Sequence, residues 1–369
     1  MPVFAILRRA VRLARQAPDN GAHSETPRPR ACAAQLAVAV GLVGLVACTP
    51  STPEVAAERS EPARSEPAPA AADTDATAPA DGIVLAYRFK EGERWVEAVD
   101  LELHSRRAGE APGDAPTMVE RRRERFEVLA ASDGVATLQV TVERVELEPR
   151  GGPAVDSAAA SAPPREALAL ERLALVGVPV TYRLASDGAT LEIVDEGTLR
   201  AAAEARWDAL RAEAGLAPAT AEERDRWRNA VGGELTSARE WGIRPKLPRA
   251  PIAVGDAWTE STTTSTLFSA EVVWSIEHVL KAADGDSVTI ARDGDAEFRE
   301  SPAMARYLER ADAGLAGELV IDRRSGALLR AETTVTALVE AAPQPEAGFD
   351  GGTLKMRRIL KRRRLGARE

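Results

Sequence analysis

The sequence predicts a mainly β fold, with antiparallel meanders forming an open half-barrel or a sandwich, in two related halves with a helical pair inserted between them. Three observations predict it. From Gly82 onward, apolar and polar residues alternate in run after run, which is the period of a half-buried strand. The runs meet at Asp133-Gly134, Asp187-Gly188, Asp284-Gly285 and Ser325-Gly326, pairs that tolerate the positive φ of hairpin turns. Between the two sets of runs, apolar residues recur at helical spacing instead.

Taken in order, Ile83, Leu85, Tyr87 and Phe89 share one face of a first expected strand, with Arg88 and Lys90 on the other. Gly92 ends it, and Trp95, Val99, Leu101 and Leu103 begin the next. Phe126 and Val128 lead into Asp133-Gly134, and Leu138, Val140 and Val142 lead out. Val178, Val180, Tyr182 and Leu184 reach Asp187-Gly188, followed by Leu191 and Ile193. Leu199, Ala203, Trp207, Leu210 and Ala214 then mark a helix that Gly215 and Pro218 stop. Thr220 and Glu223 have the spacing of a capping box for a second helix, striped by Trp227, Ala230 and Val231 and weakened by Gly232-Gly233. The tryptophans are expected to pack onto the sheet, or else to form a lid over a cavity. Alternation resumes at Trp258. Val272, Trp274, Ile276, His278 and Leu280 share one strand face, and Val288 and Ile290 follow Asp284-Gly285. Leu319 and Ile321 lead to Ser325-Gly326 and Leu328, and a last strand covers about Thr353 to Leu360.

The two halves read alike. Gly92-Glu93-Arg94-Trp95 matches Gly255-Asp256-Ala257-Trp258, and Val128 to Gly134 matches Val279 to Gly285. The hairpin at Asp187-Gly188 has its counterpart at Ser325-Gly326.

Composition narrows the function classes. The 369 residues are 44% hydrophobic, enough for a real core, and carry a net charge of -9, which argues against nucleic acid as a partner. The two cysteines are Cys32 and Cys48, so everything after Cys48 is thiol-free. That removes a disulfide scaffold, a Cys-ligated zinc site and a cysteine nucleophile from the globular region, and it suits an oxidising compartment. Only His104 and His278 remain after Cys48, too few for a multi-histidine metal site. No cofactor is expected.

The N-terminal region has its own texture. Arginines are scattered through residues 1–30, Ala31 to Ala47 is nearly all small and apolar, and Leu45-Val46-Ala47 precede Cys48. A positive flank, a short apolar core and a small residue before a cleavage point make a signal peptide. The Arg8-Arg9 pair lies too far from the apolar core for a twin-arginine signal. Leu45 to Cys48 resembles the lipobox of bacterial lipoproteins. The resemblance implies cleavage between Ala47 and Cys48, acylation of Cys48 and a membrane anchor through its acyl chains. Two or more chains hold stably, at about 0.8 kcal/mol per buried methylene. Thr49-Pro50 follow, with no aspartate after the cysteine. In the family this implies sorting to the outer membrane, facing the periplasm or the surface.

The expected organisation is therefore a lipoprotein signal peptide over 1–47, a disordered Pro/Ala-rich tether over 48–81 and a β-rich domain over 82–369. The domain divides into a first β half (82–198), a helical insertion (199–245) and a second β half with a basic C-terminal tail (246–369). The stretch at Gly255-Asp256-Ala257-Trp258 and the late Gly317-Glu318-Leu319-Val320-Ile321-Asp322 hairpin resemble β-rich domains of uncharacterised bacterial lipoproteins. That family implies no activity.

Two groups of residues are candidate binding elements. Trp274, Ile276 and His278 would line an apolar ligand cavity, with His278 the one polar group on its strand face and expected near the strand end. Lys355, Arg357, Arg358, Lys361, Arg362, Arg363 and Arg364 would bind an anionic partner, or else decorate a solvated edge strand. No Gly-x-Ser-x-Gly elbow and no paired Asp/His grouping supports a triad. The reading is a non-enzymatic, lipid-anchored envelope protein whose β-rich domain binds an apolar ligand or an envelope partner. The alternatives are an envelope hydrolase using His278 or His104, and a structural spacer.

Overall fold

Nearly every alternating run of the sequence belongs to one antiparallel sheet in the computed structural model. It describes residues 82–107, 110, 115–159, 163–240, 244–265, 271–299, 308–343 and 351–366. The elements are β1 (Arg94–Arg107), β2 (Met118–Ser132), β3 (Val135–Pro149), β4 (Val155–Asp156), α1 (Ala167–Ala174), β5 (Pro179–Ala185), β6 (Thr190–Val194), α2 (Glu196–Glu213), α3 (Ala221–Glu240), β7 (Ala257–Ser265), β8 (Glu271–Asp284), β9 (Ser287–Arg299), β10 (Leu308–Asp322), β11 (Leu328–Ala341) and β12 (Gly352–Arg364).

The strand order is β6-β5-β3-β2-β1-β12-β11-β10-β9-β8-β7, with β4 beside β3. Starting at β1, the strands follow chain order around the sheet, and β12 returns to pair with β1. The sheet is thus an up-and-down meander left open between β6 and β7. It is one sheet, not a sandwich. α3 packs against both β6 and β7, covering the two edges the opening exposes.

The helices form because their apolar stripes have a sheet to face. Leu199, Ala203, Trp207 and Leu210 of α2 are buried, and Trp207 stacks on Trp227 of α3 with ring centroids 5.3 Å apart. Both pack into a core with Phe126, Leu138, Tyr182, Leu184 and Ile193 of the first half. The capping box of α3 is formed: Glu223 N–H donates to Thr220 Oγ1 at 3.2 Å, and Thr220 N–H donates to Glu223 Oε2 at 2.8 Å. A second core lies under the other half, around Leu280, Val288, Ile290, Leu319 and Ile321.

Four expectations need correction. Ile83 to Phe89 alternates in burial but forms no ladder beyond the Ile83–Ile252 bridge. It is a strap whose backbone is satisfied by turns, with Tyr87 N–H donating to Ser186 O and Arg88 N–H to Ser325 O, both at 2.8 Å. α3 runs unbroken through Gly232-Gly233, and at Gly232 the missing side chain makes room for Arg200, whose Nη1 would lie 3.0 Å from a Cβ there. Leu191 is 53% exposed, because a bulge makes Glu192 pair with Arg183 and Thr190 with Leu184, leaving Leu191 unpaired. Finally, β12 is no edge strand and lies between β1 and β11.

The two halves repeat in detail. Gly92 and Gly255 both take positive φ before their strands. Gly92 N–H donates to Val128 O at 2.8 Å and Val128 N–H to Glu93 O at 2.9 Å. Gly255 N–H donates to Leu280 O at 2.8 Å and Leu280 N–H to Asp256 O at 3.0 Å. β2 is bulged between Val128 and Ala130, and β8 between Leu280 and Ala282. The structure therefore sets Val128 against Leu280, one residue from the Val279 that sequence matching selects.

Candidate binding site in the sheet interior

Each half carries a Trp-x-Glu pair on the first strand, facing inward. In the first half, Trp95 stacks on Phe126 with ring centroids 5.1 Å apart, and its indole N–H donates to Glu97 Oε1 at 2.8 Å. Glu97 is 1% exposed and is held by Arg244 at 2.6 Å and by Arg362 at 3.2 Å. Arg244 also lies over the Phe126 ring, 4.6 Å from its centroid. Burial works to raise the Glu97 carboxyl, but Arg244 and Arg362 more than offset it and hold it below the usual carboxylate range.

In the second half, Trp258 stacks on His278 with centroids 5.1 Å apart. His278 Nε2 lies 3.2 Å from Glu260 Oε2, and Lys246 Nζ lies 3.3 Å from Glu260 Oε1. Burial opposes the Glu260 charge, yet His278 and Lys246 keep its carboxyl below the ordinary range. Arg244 and Lys246 stand on one short stretch after α3, so a single connection supplies a cation to the repeated glutamate of each half.

A chain of alternating charges extends from Glu97 along the inner face. Arg362 reaches Glu124 at 3.3 Å, Arg122 lies 3.4 Å from Glu124 and 3.5 Å from Glu120, and Arg172 of α1 lies 3.4 Å from Glu120. Strand register brings these groups together. Val99 pairs with both Arg362 and Arg122, Leu101 with Leu360 and Glu120, and Leu103 with Arg358 and Met118. Leu101, Leu103 and Met118 form a small apolar cluster there, with Leu168 and Leu360 against it. Burial and then the neighbouring Arg122 press the Arg358 guanidinium down to about 10.

The expected site residues divide among different places. Cys48 and Ala47 lie outside the described residues. Trp274 and Ile276 are buried in a packed cluster with Val272 and Leu315. His278 shares their strand face, but it sits mid-strand, wholly buried against Trp258, and not near a strand end. Pleating splits the basic C-terminal run. Arg358, Arg362 and Arg364 face the interior, where Arg364 meets Glu93 at 3.1 Å. Lys355, Arg357, Lys361 and Arg363 take the opposite face, where Lys361 lies 3.8 Å from Glu332. His104 lies on that outer face, 3.5 Å from Glu102. Among the described residues, no group of three His, Cys, Asp or Glu side chains could hold a metal ion. No helix among them is long and apolar enough to cross a membrane.

Sequence reasoning passed over Glu97, Glu120, Arg122, Glu124, Arg172 and Arg244. A signal for the strand residues was present. Position 97 falls in phase between Trp95 and Val99, and positions 120, 122 and 124 fall in phase with Met118 and Phe126. Charges at inward positions of an alternating strand mark an interior polar network.

No protein-family model matches the chain. No curated protein matches it. Among solved structures, it is similar to one described as "Lipid-protein interactions in lipovitellin", at 12% identity and a TM-score of 0.39, over 75% of this chain. The match spans 25% of that chain, so this protein covers about a quarter of its length. It is also similar to the outer membrane protein OprG from Pseudomonas aeruginosa, at 7% identity and a TM-score of 0.16, over 77% of this chain and 100% of that one. A third is OccK2 (OpdF) from Pseudomonas aeruginosa in complex with glucuronate, at 8% identity and a TM-score of 0.15, over 76% of this chain and 98% of that one.

Proposed function

We propose that the chain is a lipid-anchored envelope protein, held by acyl chains on Cys48, whose curved sheet is a non-catalytic binding domain for an amphiphilic ligand. The lipobox-like Leu45 to Cys48 and the thiol-free remainder support the anchor. The observation that carries the binding reading is the inner face at β12, β1 and β2. There a line of charged groups, with the arginines partly open to solvent, runs beside the buried cluster of Leu101, Leu103 and Met118 and the half-buried Leu360, so polar and apolar groups stand side by side on that face. The histidines favour binding over hydrolysis. His278 is enclosed by Trp258 and Glu260, and His104 has Glu102 beside it on the outer face.

The test is organic extraction of the protein purified from an envelope fraction, with mass spectrometry of both phases. The expected result is a Cys48-terminal acylated peptide and a co-purifying amphiphile near one per chain. An unmodified Cys48 overturns the anchor. An extract holding detergent alone overturns the binding reading.

A further inference from the structure

We propose that a hollow on the outer face, at one end of β1, β12 and β11, binds a small zwitterion that joins an oxyanion to an ammonium group, as phosphoethanolamine does, free or as a lipid headgroup. The hollow measures about 380 Å³, within the size range of small-molecule sites. It lies on the opposite side of the sheet from the inner-face binding reading and does not rest on it. Strand register builds its floor. Arg106 pairs with Lys355, and Lys355 pairs in turn with Leu338, so the three residues stand in one row across β1, β12 and β11. The next row adds Thr353 and its partner Glu340, and Arg107 closes β1 beside them.

Charge is divided across this floor. Arg106, Arg107 and Lys355 stand on β1 and β12, and among the described residues no carboxylate lies within ion-pair distance of any of the three. Glu340 stands on β11, likewise without an ion pair among the described residues. β1 and β11 are two strand spacings apart, about 10 Å. Glu110, the other carboxylate at the hollow, is already engaged, accepting a hydrogen bond from the Arg107 backbone N–H at 2.9 Å. Further along the same face charges do pair, Arg330 with Glu318 at 3.0 Å and Lys361 with Glu332 at 3.8 Å. Unpaired charges of both signs on opposite walls of one hollow suit a molecule that brings the complement of each. The guanidinium forks and the Lys355 ammonium match an oxyanion, and the Glu340 carboxylate accepts from an ammonium. Half-buried Leu338 and Thr353 lie between the two, an apolar contact and a hydroxyl for the linking atoms.

The experiment uses the full chain in neutral detergent and a calorimetric titration with four probes: phosphoethanolamine, inorganic phosphate, ethanolamine and dihexanoyl phosphatidylethanolamine. Phosphoethanolamine is expected to bind about tenfold more tightly than phosphate or ethanolamine. Arg106→Gln should abolish its binding. Glu340→Gln should lower it to the level of phosphate while leaving phosphate itself unchanged, and Arg363→Gln, further along the same face, should alter neither. None of these side chains has an ion pair among the described residues, so no substitution orphans a charge, and circular dichroism is expected to match the parent. Binding of the dihexanoyl lipid that is lost in Arg106→Gln assigns the site to a headgroup, and binding of phosphoethanolamine without the lipid assigns it to a free zwitterion. Equal affinity for phosphate and phosphoethanolamine overturns the proposal, as does a preference that survives Glu340→Gln or Arg106→Gln. Failure of all four probes to saturate overturns it too, and leaves the inner-face reading to its own extraction test.

Discussion

The two halves of the sheet place the same kind of group at the same point and secure it differently. In the first, Glu97 meets two arginines beneath a Trp95–Phe126 stack and is shut from solvent. In the second, Glu260 meets a histidine and a lysine beneath a Trp258–His278 stack, and the Lys246 side chain is 36% exposed. The backbone plan is shared, down to the bulge opposite each Trp strand. The first half supplies two arginines and the ring of Phe126, whereas the second supplies a lysine and, where the first has Phe126, the ring of His278. A repeated scaffold thus keeps its hydrogen-bonding frame while the chemistry at equivalent positions diverges.

Substitutions sharpen this contrast. The largest effect is expected from Glu97→Gln, which strands Arg244 in the interior and should cost about 3–5 kcal/mol, read as a fall in the urea midpoint. Gly326→Ala comes next. Gly326 has φ +73°, and a Cβ there would run into Ala86 O, under the strap. A loss of about 3 kcal/mol is expected, from backbone strain and from displacing that segment. Gly188→Ala makes the same test in the first half, where the added Cβ would meet Pro245 O at 2.5 Å. Glu260→Gln should cost less than Glu97→Gln, about 1–2 kcal/mol, because Lys246 can turn to solvent. An equal loss for the two would break the contrast. His278→Phe, which copies the first half's stack into the second, should change stability by less than about 1 kcal/mol and leave Glu260 to Lys246.

Acid should expose the same ranking. Glu97, Glu120 and Glu260 are all held below the ordinary carboxylate range in the folded chain. Their contribution is therefore present at neutral pH and is lost as pH falls through the folded values. Urea midpoints measured from pH 7 downward should fall for the parent, and Glu97→Gln should flatten part of that slope. An unchanged slope would place the acid sensitivity elsewhere.

The sequence made the strands, the hairpin turns, the helical insertion and the repeat legible, because each rests on local chemistry. Alternation marks a face, Asp-Gly permits positive φ, and Thr220 with Glu223 caps a helix. What it concealed depends on register. Whether β12 is an edge or an interior strand is decided by its pairing with β1, some two hundred and fifty residues away in sequence. The same pairing decides which arginines of the C-terminal run turn inward. Arg244 and Arg172 come from outside the strands altogether, and no periodicity announces them. Leu191 misled because a bulge costs one residue of phase.

The strap adds a mechanical consequence. A pull on the chain ahead of residue 82 reaches the sheet first through Ile83, paired with Ile252, and then through the amides of Tyr87 and Arg88 on Ser186 and Ser325. Those anchor points belong to the hairpin of each half and to the connection between them. Tension entering at the N-terminal end therefore meets the connection and both hairpins before it reaches β1.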